Sequence, residues 1–163
     1  SLVTRSEVVD AAWSQVETQY QRRFDLVPNL VASTKGFLNQ EQKVFGDIAE
    51  ARTRYAGAPA GTNERVQATA QYESALARLL VVMENYPPLR SVETVRALTD
   101  ELAGTENRVL VSRDRYNEQV RDYNIMIKRF PRNIIAGIFG YDDRAFFESN
   151  DGAESAPKVD LTL

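Results

Sequence analysis

The side chains best placed to do chemistry are the charged residues that interrupt an apolar helical stripe. Arg23 and Glu41 fall on the same stripe as Trp13, Val16, Tyr20, Leu30 and Ile48. A charge held away from water needs a partner, because an unpaired buried ion is costly. The two residues lie 18 positions apart, about 27 Å along a helix, so they cannot pair with each other. Glu106 and Asp114 are the candidate partners of Arg23, and Arg108 and Arg113 those of Glu41. Such pairs either fix the register of a bundle or line a polar pocket, and the register role is the expectation.

Glu41 and Glu106 are also the carboxylates that an all-oxygen divalent site would use. Against this stands the composition: 163 residues contain no His and no Cys. That removes disulfides, thiolate nucleophiles, Cys/His zinc sites and any His-based triad. It also removes the commonest general base near neutral pH. The expectation is a non-catalytic protein with no metal and no cofactor.

Three other strings attract attention. Asp25-Leu26-Val27-Pro28-Asn29 places a proline inside a helical pattern. Pro28 cannot donate to the carbonyl of Phe24 and bends the helix, and Asn29 is a candidate to satisfy the freed groups. Arg115-Tyr116-Asn117 and Asp122-Tyr123-Asn124 repeat at a spacing of seven, two turns of one helix face. Lys128-Arg129-Phe130-Pro131-Arg132 sets basic residues beside Ile134, Ile135, Ile138 and Phe139. That cluster reads either as a short helix capping the bundle, which is the expectation, or as an interfacial membrane segment. Trp13, Tyr20, Ile134, Ile135, Ile138 and Phe139 form the candidate interaction surface.

The elements that must position these residues are helical. Stepping by four and three from Val9 to Tyr55 meets eleven apolar or aromatic residues in fourteen positions, a heptad seam. This predicts one very long first helix, kinked near Pro28; a fold-back at that proline is the alternative. Gly57-Ala58-Pro59-Ala60-Gly61 is a loop, and Thr62 or Asn63 caps the next helix. Pro87-Pro88 ends that helix, and a third runs from Ser91 to Phe130. A short fourth covers Ile134–Phe139, with Gly140 at its end. No strand alternation appears. The predicted architecture is all-α: an antiparallel up-and-down helical bundle of three long helices and a short C-terminal one, over residues 1–140.

Residues 141–163 form an acidic, largely irregular tail, with a turn at Asn150–Gly152 and an extended end from Ser155. The tail carries six acidic and two basic residues, and the chain as a whole −3, so the remaining body is near +1. That balance does not favour nucleic acid. The second helix covers only half of the first. Val9, Trp13, Val16 and Tyr20 therefore need a cover, and a protein partner, the membrane neighbourhood or self-association through the first helix would supply it.

The residues also resemble a known family. Trp13-Ser14-Gln15, Arg22-Arg23-Phe24-Asp25-Leu26-Val27-Pro28-Asn29-Leu30-Val31, Lys35-Gly36 and Glu41 are similar to the N-terminal signature of LemA family proteins. Gly104-Thr105-Glu106-Asn107-Arg108-Val109, Arg113 to Asn117, Tyr123-Asn124 and Phe130 to Gly140 extend the likeness. Phe146-Phe147-Glu148 and Ala156-Pro157-Lys158-Val159 complete it. The resemblance implies a bacterial helical bundle with a transmembrane anchor just before Ser1-Leu2-Val3. It implies no reaction, substrate or cofactor. No run of 18 apolar residues occurs in the chain. The functional expectation is a membrane-anchored interaction or scaffold module with unknown protein partners. A small-ligand or lipid-sensing bundle is the alternative, and a carboxylate-metal hydrolase stands behind both.

Overall fold

The structure is a computed structural model, and it describes residues 1–147. Asn150–Gly152 and Ser155–Leu163, read above as a turn and an extended end, lie outside the described residues. No strand occurs among the described residues. The helices are α1 (Leu2–Asp25), α2 (Val27–Thr34), α3 (Gln42–Gly57), α4 (Asn63–Glu84), α5 (Glu93–Lys128) and α6 (Arg132–Phe139), with a 3₁₀ turn at Pro87–Ser91.

The all-α antiparallel bundle follows directly from the seams. Val9, Trp13, Val16, Tyr20, Phe24, Val27 and Leu30 are all buried along α1 and α2. Val95, Leu102, Val109, Tyr116, Val120, Tyr123 and Ile127 are buried along α5. α1 and α5 run antiparallel as the main pair, with Arg5 of α1 reaching Gln119 of α5 and Arg23 reaching Leu102. α3 and α4 form the second antiparallel pair, with Arg54 on Gln71 and Asp47 on Arg78. Stacked rings tie the two pairs together, Phe24 on Tyr72 at 4.0 Å and edge-on to Tyr55 at 5.0 Å.

The first helical stretch differs from the sequence reading. A bend does occur near Pro28: α1 ends at Asp25 and α2 begins at Val27, with Pro28 in its first turn, where a missing N–H costs nothing. Asn29 is exposed and does not repair the bend. The stretch is not one helix to Tyr55, however. The chain leaves α2 at Lys35 and re-enters helix only at Gln42. Thr34 closes α2 by donating its hydroxyl to the Leu30 carbonyl at 2.8 Å. Leu38, not the seam residue Phe37, then turns into the core: Leu38 is 0% and Phe37 45% exposed. The reason the heptad pattern concealed this turn is arithmetic. The interruption Lys35–Glu41 is seven residues long, one heptad, so the apolar count resumes in phase on a different helix.

The remaining ends follow their local chemistry. Thr62 caps α4 by accepting from the Arg65 N–H. Gly140 stops α6 in the left-handed conformation, φ 69°, which glycine adopts without strain. α5 runs through Gly104-Thr105 without a break. At 36 residues it is about 54 Å long. α3 and α4 leave one end of α1 and α5 uncovered, and residues 141–147 fold back along that end.

Candidate functional site

Two polar constellations organise the bundle. The first centres on Arg23, 8% exposed. Its Nε donates to Glu73 Oε1 at 2.6 Å, and its Nη1 donates to the Leu102 carbonyl at 2.8 Å and to Thr105 Oγ1 at 3.2 Å. One guanidinium thus links α1, α4 and α5, which suits its planar fork. The expected partners are corrected: Glu73 pairs with Arg23, while Glu106 and Asp114 are exposed. Glu41 is also corrected. It is half-buried and accepts from the Tyr86 hydroxyl at 3.2 Å, and neither Arg108 nor Arg113 reaches it. Arg108 is exposed, Arg113 stands over the Phe147 ring at 5.4 Å, and Asp25 accepts from Gln21 on the surface. Glu41 and Glu106 do not converge, and no group of acidic residues among those described could hold a metal ion.

A pairing the sequence reading missed sits lower on α1. Arg65 donates to Glu17 and to the backbone carbonyls of Tyr55 and Ala58, and its guanidinium lies 3.8 Å over the Tyr55 ring. Glu17 also accepts from Trp13 Nε1 at 3.0 Å.

The second constellation answers the question of what covers Trp13 and Tyr20. Both are buried, 5% and 2% exposed, so their assignment to an interaction surface is corrected. Phe147 is stacked on Trp13 at 5.5 Å and 7°, edge-on to Tyr116 at 5.3 Å and 5.9 Å from Tyr20. The seam of α1 is therefore covered by α5 and by the chain's own residues 141–147. Asn117 and Asn124 hold that segment in place. Each amide makes two bonds to one backbone residue: Asn124 gives to the Arg144 carbonyl and takes its N–H, both at 2.9 Å. Asn117 does the same with Phe147, at 2.8 and 2.9 Å. Seven residues of helix rise about 10.5 Å, and three residues of extended chain span about 10–11 Å. The repeated Tyr-Asn at a spacing of seven is thus a ruler for extended chain. Tyr116 adds a hydroxyl to the Ala145 carbonyl at 3.1 Å, and Arg144 reaches Gly61 and Asp10.

Replacing Asn124, a buried side chain, with alanine is expected to cost about 1–2 kcal/mol, the worth of two ordinary hydrogen bonds. Faster hydrogen exchange at Arg144 than at the middle of α5 is the accompanying sign. Exchange unchanged at Arg144 would show that the amide does not hold the segment.

Burial also sets the tyrosine chemistry. Tyr116 is pushed up from 10.0 to about 12 by burial, only partly offset by the Arg144 guanidinium. Burial likewise pushes Tyr20 up, against the nearby Arg113. A raised phenol means that the folded state keeps a proton the unfolded chain has lost. The stability is therefore full below pH 10 and falls as pH rises towards 12. At about 1.4 kcal/mol per unit, the loss from Tyr116 is on the order of 2–3 kcal/mol. Melting curves followed from pH 9 upward should show it, with phenolate absorbance from Tyr116 appearing only on unfolding. Early ionisation at unchanged melting temperature would contradict the burial argument.

At the other end, a groove of about 320 Å³ runs beside Arg23, floored by Met83, Leu89, Val95 and Leu102 and edged by Arg90, Arg96, Glu84 and Glu106. Tyr116 and Tyr123 are packed in the core and line no part of it. α6 is exposed rather than capping: Ile134, Ile135, Ile138 and Phe139 face outward, and Ala136 alone is buried. No helix among the described residues is long and apolar enough to cross a membrane.

The model of the LemA family matches residues 12–161. Magnetosome proteins MamQ 1 and MamQ 2 of Paramagnetospirillum magneticum are each 28% identical to this chain over 180 residues. Magnetosome protein MamQ of Magnetospirillum gryphiswaldense is 24% identical. Each match covers 95% of this chain and 66% of the relative, so the chain spans just under two thirds of their length.

Proposed function

The chain belongs to the LemA family, and from that premise we propose that it is a membrane-anchored, non-catalytic helical bundle that works as an interaction scaffold. An N-terminal helix preceding Ser1 holds it to the membrane in this reading. The observation that carries it is the use made of the seam's polar groups. Arg23, Glu73, Glu17, Arg65, Asn117 and Asn124 are spent on fixing helices and one extended segment against each other. Arg23 alone among them also lines a groove, and it does so as a paired structural cation rather than as part of a nucleophile, base or metal set. The relatives named as magnetosome proteins support the membrane setting.

Fractionation of the full-length protein in its native cell is the test. The expected result is retention in the membrane pellet through an alkaline carbonate wash, with a photo-crosslinker at exposed Val81 of α4 capturing a discrete protein. Release by carbonate, or turnover of a substrate by the bundle, overturns the reading.

The groove beside Arg23 supports a second reading, a bundle that senses an amphipathic anion. Its apolar floor suits an alkyl chain and its Arg90 and Arg96 a carboxylate or phosphate, in competition with Glu84 and Glu106, which line the same groove. A medium-chain fatty acid that raises the melting temperature of the protein, but not of an Arg90→Gln, Arg96→Gln variant, supports it; no shift removes it.

A further inference from the structure

We propose that α6 is an interfacial docking helix that lays its outer face into the headgroup region of an anionic lipid bilayer. The residues set this up. At 100° per residue, Ile134, Ile135, Ile138 and Phe139 occupy an arc of about 140°, and Ala136, opposite, is the side packed inward. Ile138 is 74%, Phe139 72% and the preceding Phe130 80% exposed. Side chains of this size left in water at one end of a bundle form a patch that asks for an occupant.

Charge and shape select a bilayer as that occupant. Arg129 and Arg132 flank the patch, both exposed and neither ion-paired among the described residues. Of the two acids that follow among the described residues, Asp143 is held by Lys128 at 2.7 Å, which leaves Arg129 and Arg132 there against Asp142. Arginine stems lie along an apolar surface while their heads reach phosphate. The outer face is convex, a single short helix rather than a groove, and eight residues reach about 12 Å, too short to span and long enough to lie in the interface. Its position is consistent. α6 follows the C-terminal end of α5, the end at which antiparallel α1 begins, and there Val3 is 54% exposed. The apolar end surface thus meets a bilayer end-on.

This inference does not need the N-terminal anchor, and its test separates the two. The chain of residues 1–163, purified without any preceding helix, is mixed with phosphatidylcholine vesicles with and without phosphatidylglycerol and sedimented. Binding is expected to the anionic vesicles and to weaken with salt. It should fall about tenfold or more in Ile138→Ser, Phe139→Ser, in which two large apolar side chains are lost. It should fall about fivefold in each of Arg129→Gln and Arg132→Gln. These side chains are exposed, so circular dichroism and Trp13 emission should not change. No binding to either vesicle overturns the inference, as does binding that the double serine variant retains. A concentration-dependent dimer that the double serine variant abolishes, without vesicle binding, would instead give this face to a second copy. Loss of the native protein in a carbonate wash would sink the anchor and leave this result standing.

Discussion

Replacing Phe147 with alanine is expected to cost about 3 kcal/mol, at the low end of measured aromatic truncations. The ring touches Trp13, Tyr20 and Tyr116 and lies beneath Arg113, and it is 3% exposed. Truncation opens a cavity between α1 and α5. The value stays near the low end because residues 141–147 can detach as a unit, which limits the loss to the free energy of docking them. For a chain of this size the melting temperature should fall by roughly 6–12 °C. The protein carries its own reporter. Trp13 is its single tryptophan and stacks directly on Phe147, so its emission should shift to the red while far-ultraviolet dichroism stays helical. A loss under about 1 kcal/mol with unchanged Trp13 emission would mean that the segment is not part of the cooperative core.

Arg23→Ala is expected to cost about 3 kcal/mol, and Arg23→Met combined with Glu73→Leu to restore most of it. The single change strands Glu73 and removes a donor from the Leu102 carbonyl and the Thr105 hydroxyl. Breaking one half of a buried pair costs more than replacing both halves with apolar residues of similar volume. The figure stays near the lower end of the usual range because the Glu73 side chain keeps 24% exposure and Thr105 still donates to Leu102 at 2.7 Å. Arg23→Lys should recover only part of the loss, since a single ammonium cannot serve three helices as a planar fork does. A double-mutant cycle measured by urea denaturation checks the coupling between positions 23 and 73. Additive losses at the two sites would show that the pair fixes nothing.

These two sites divide sharply in how far the sequence announced them. Arg23 was legible because a charge on an apolar seam must find a partner. Its partner was not, since Glu106 and Glu73 are both accessible to such reasoning and lie on different helices. One local sign was available: Glu73 and Arg78 are the only charged residues between Val66 and Met83, so Glu73 is the single acid that stretch of helix offers. The Tyr-Asn repeat on α5 was visible as a face, but its meaning needed the segment it measures.

The sequence by itself determined the all-helical class, the buried faces of the long helices and several of their ends, because those depend on contacts within a few residues. Heptad spacing selects the inward side, proline stops donation, and glycine at position 140 takes the left-handed turn. The tertiary structure alone decided where the first stretch folds back, since a seven-residue connection leaves a seven-residue pattern intact. It alone decided that Glu73 meets Arg23 across 50 positions, and that Phe147 meets Trp13 across 134. It also left the face of α6 outside the core. Periodicity records which way a side chain points; which neighbour it meets depends on how whole helices pack, and no one-dimensional pattern carries that.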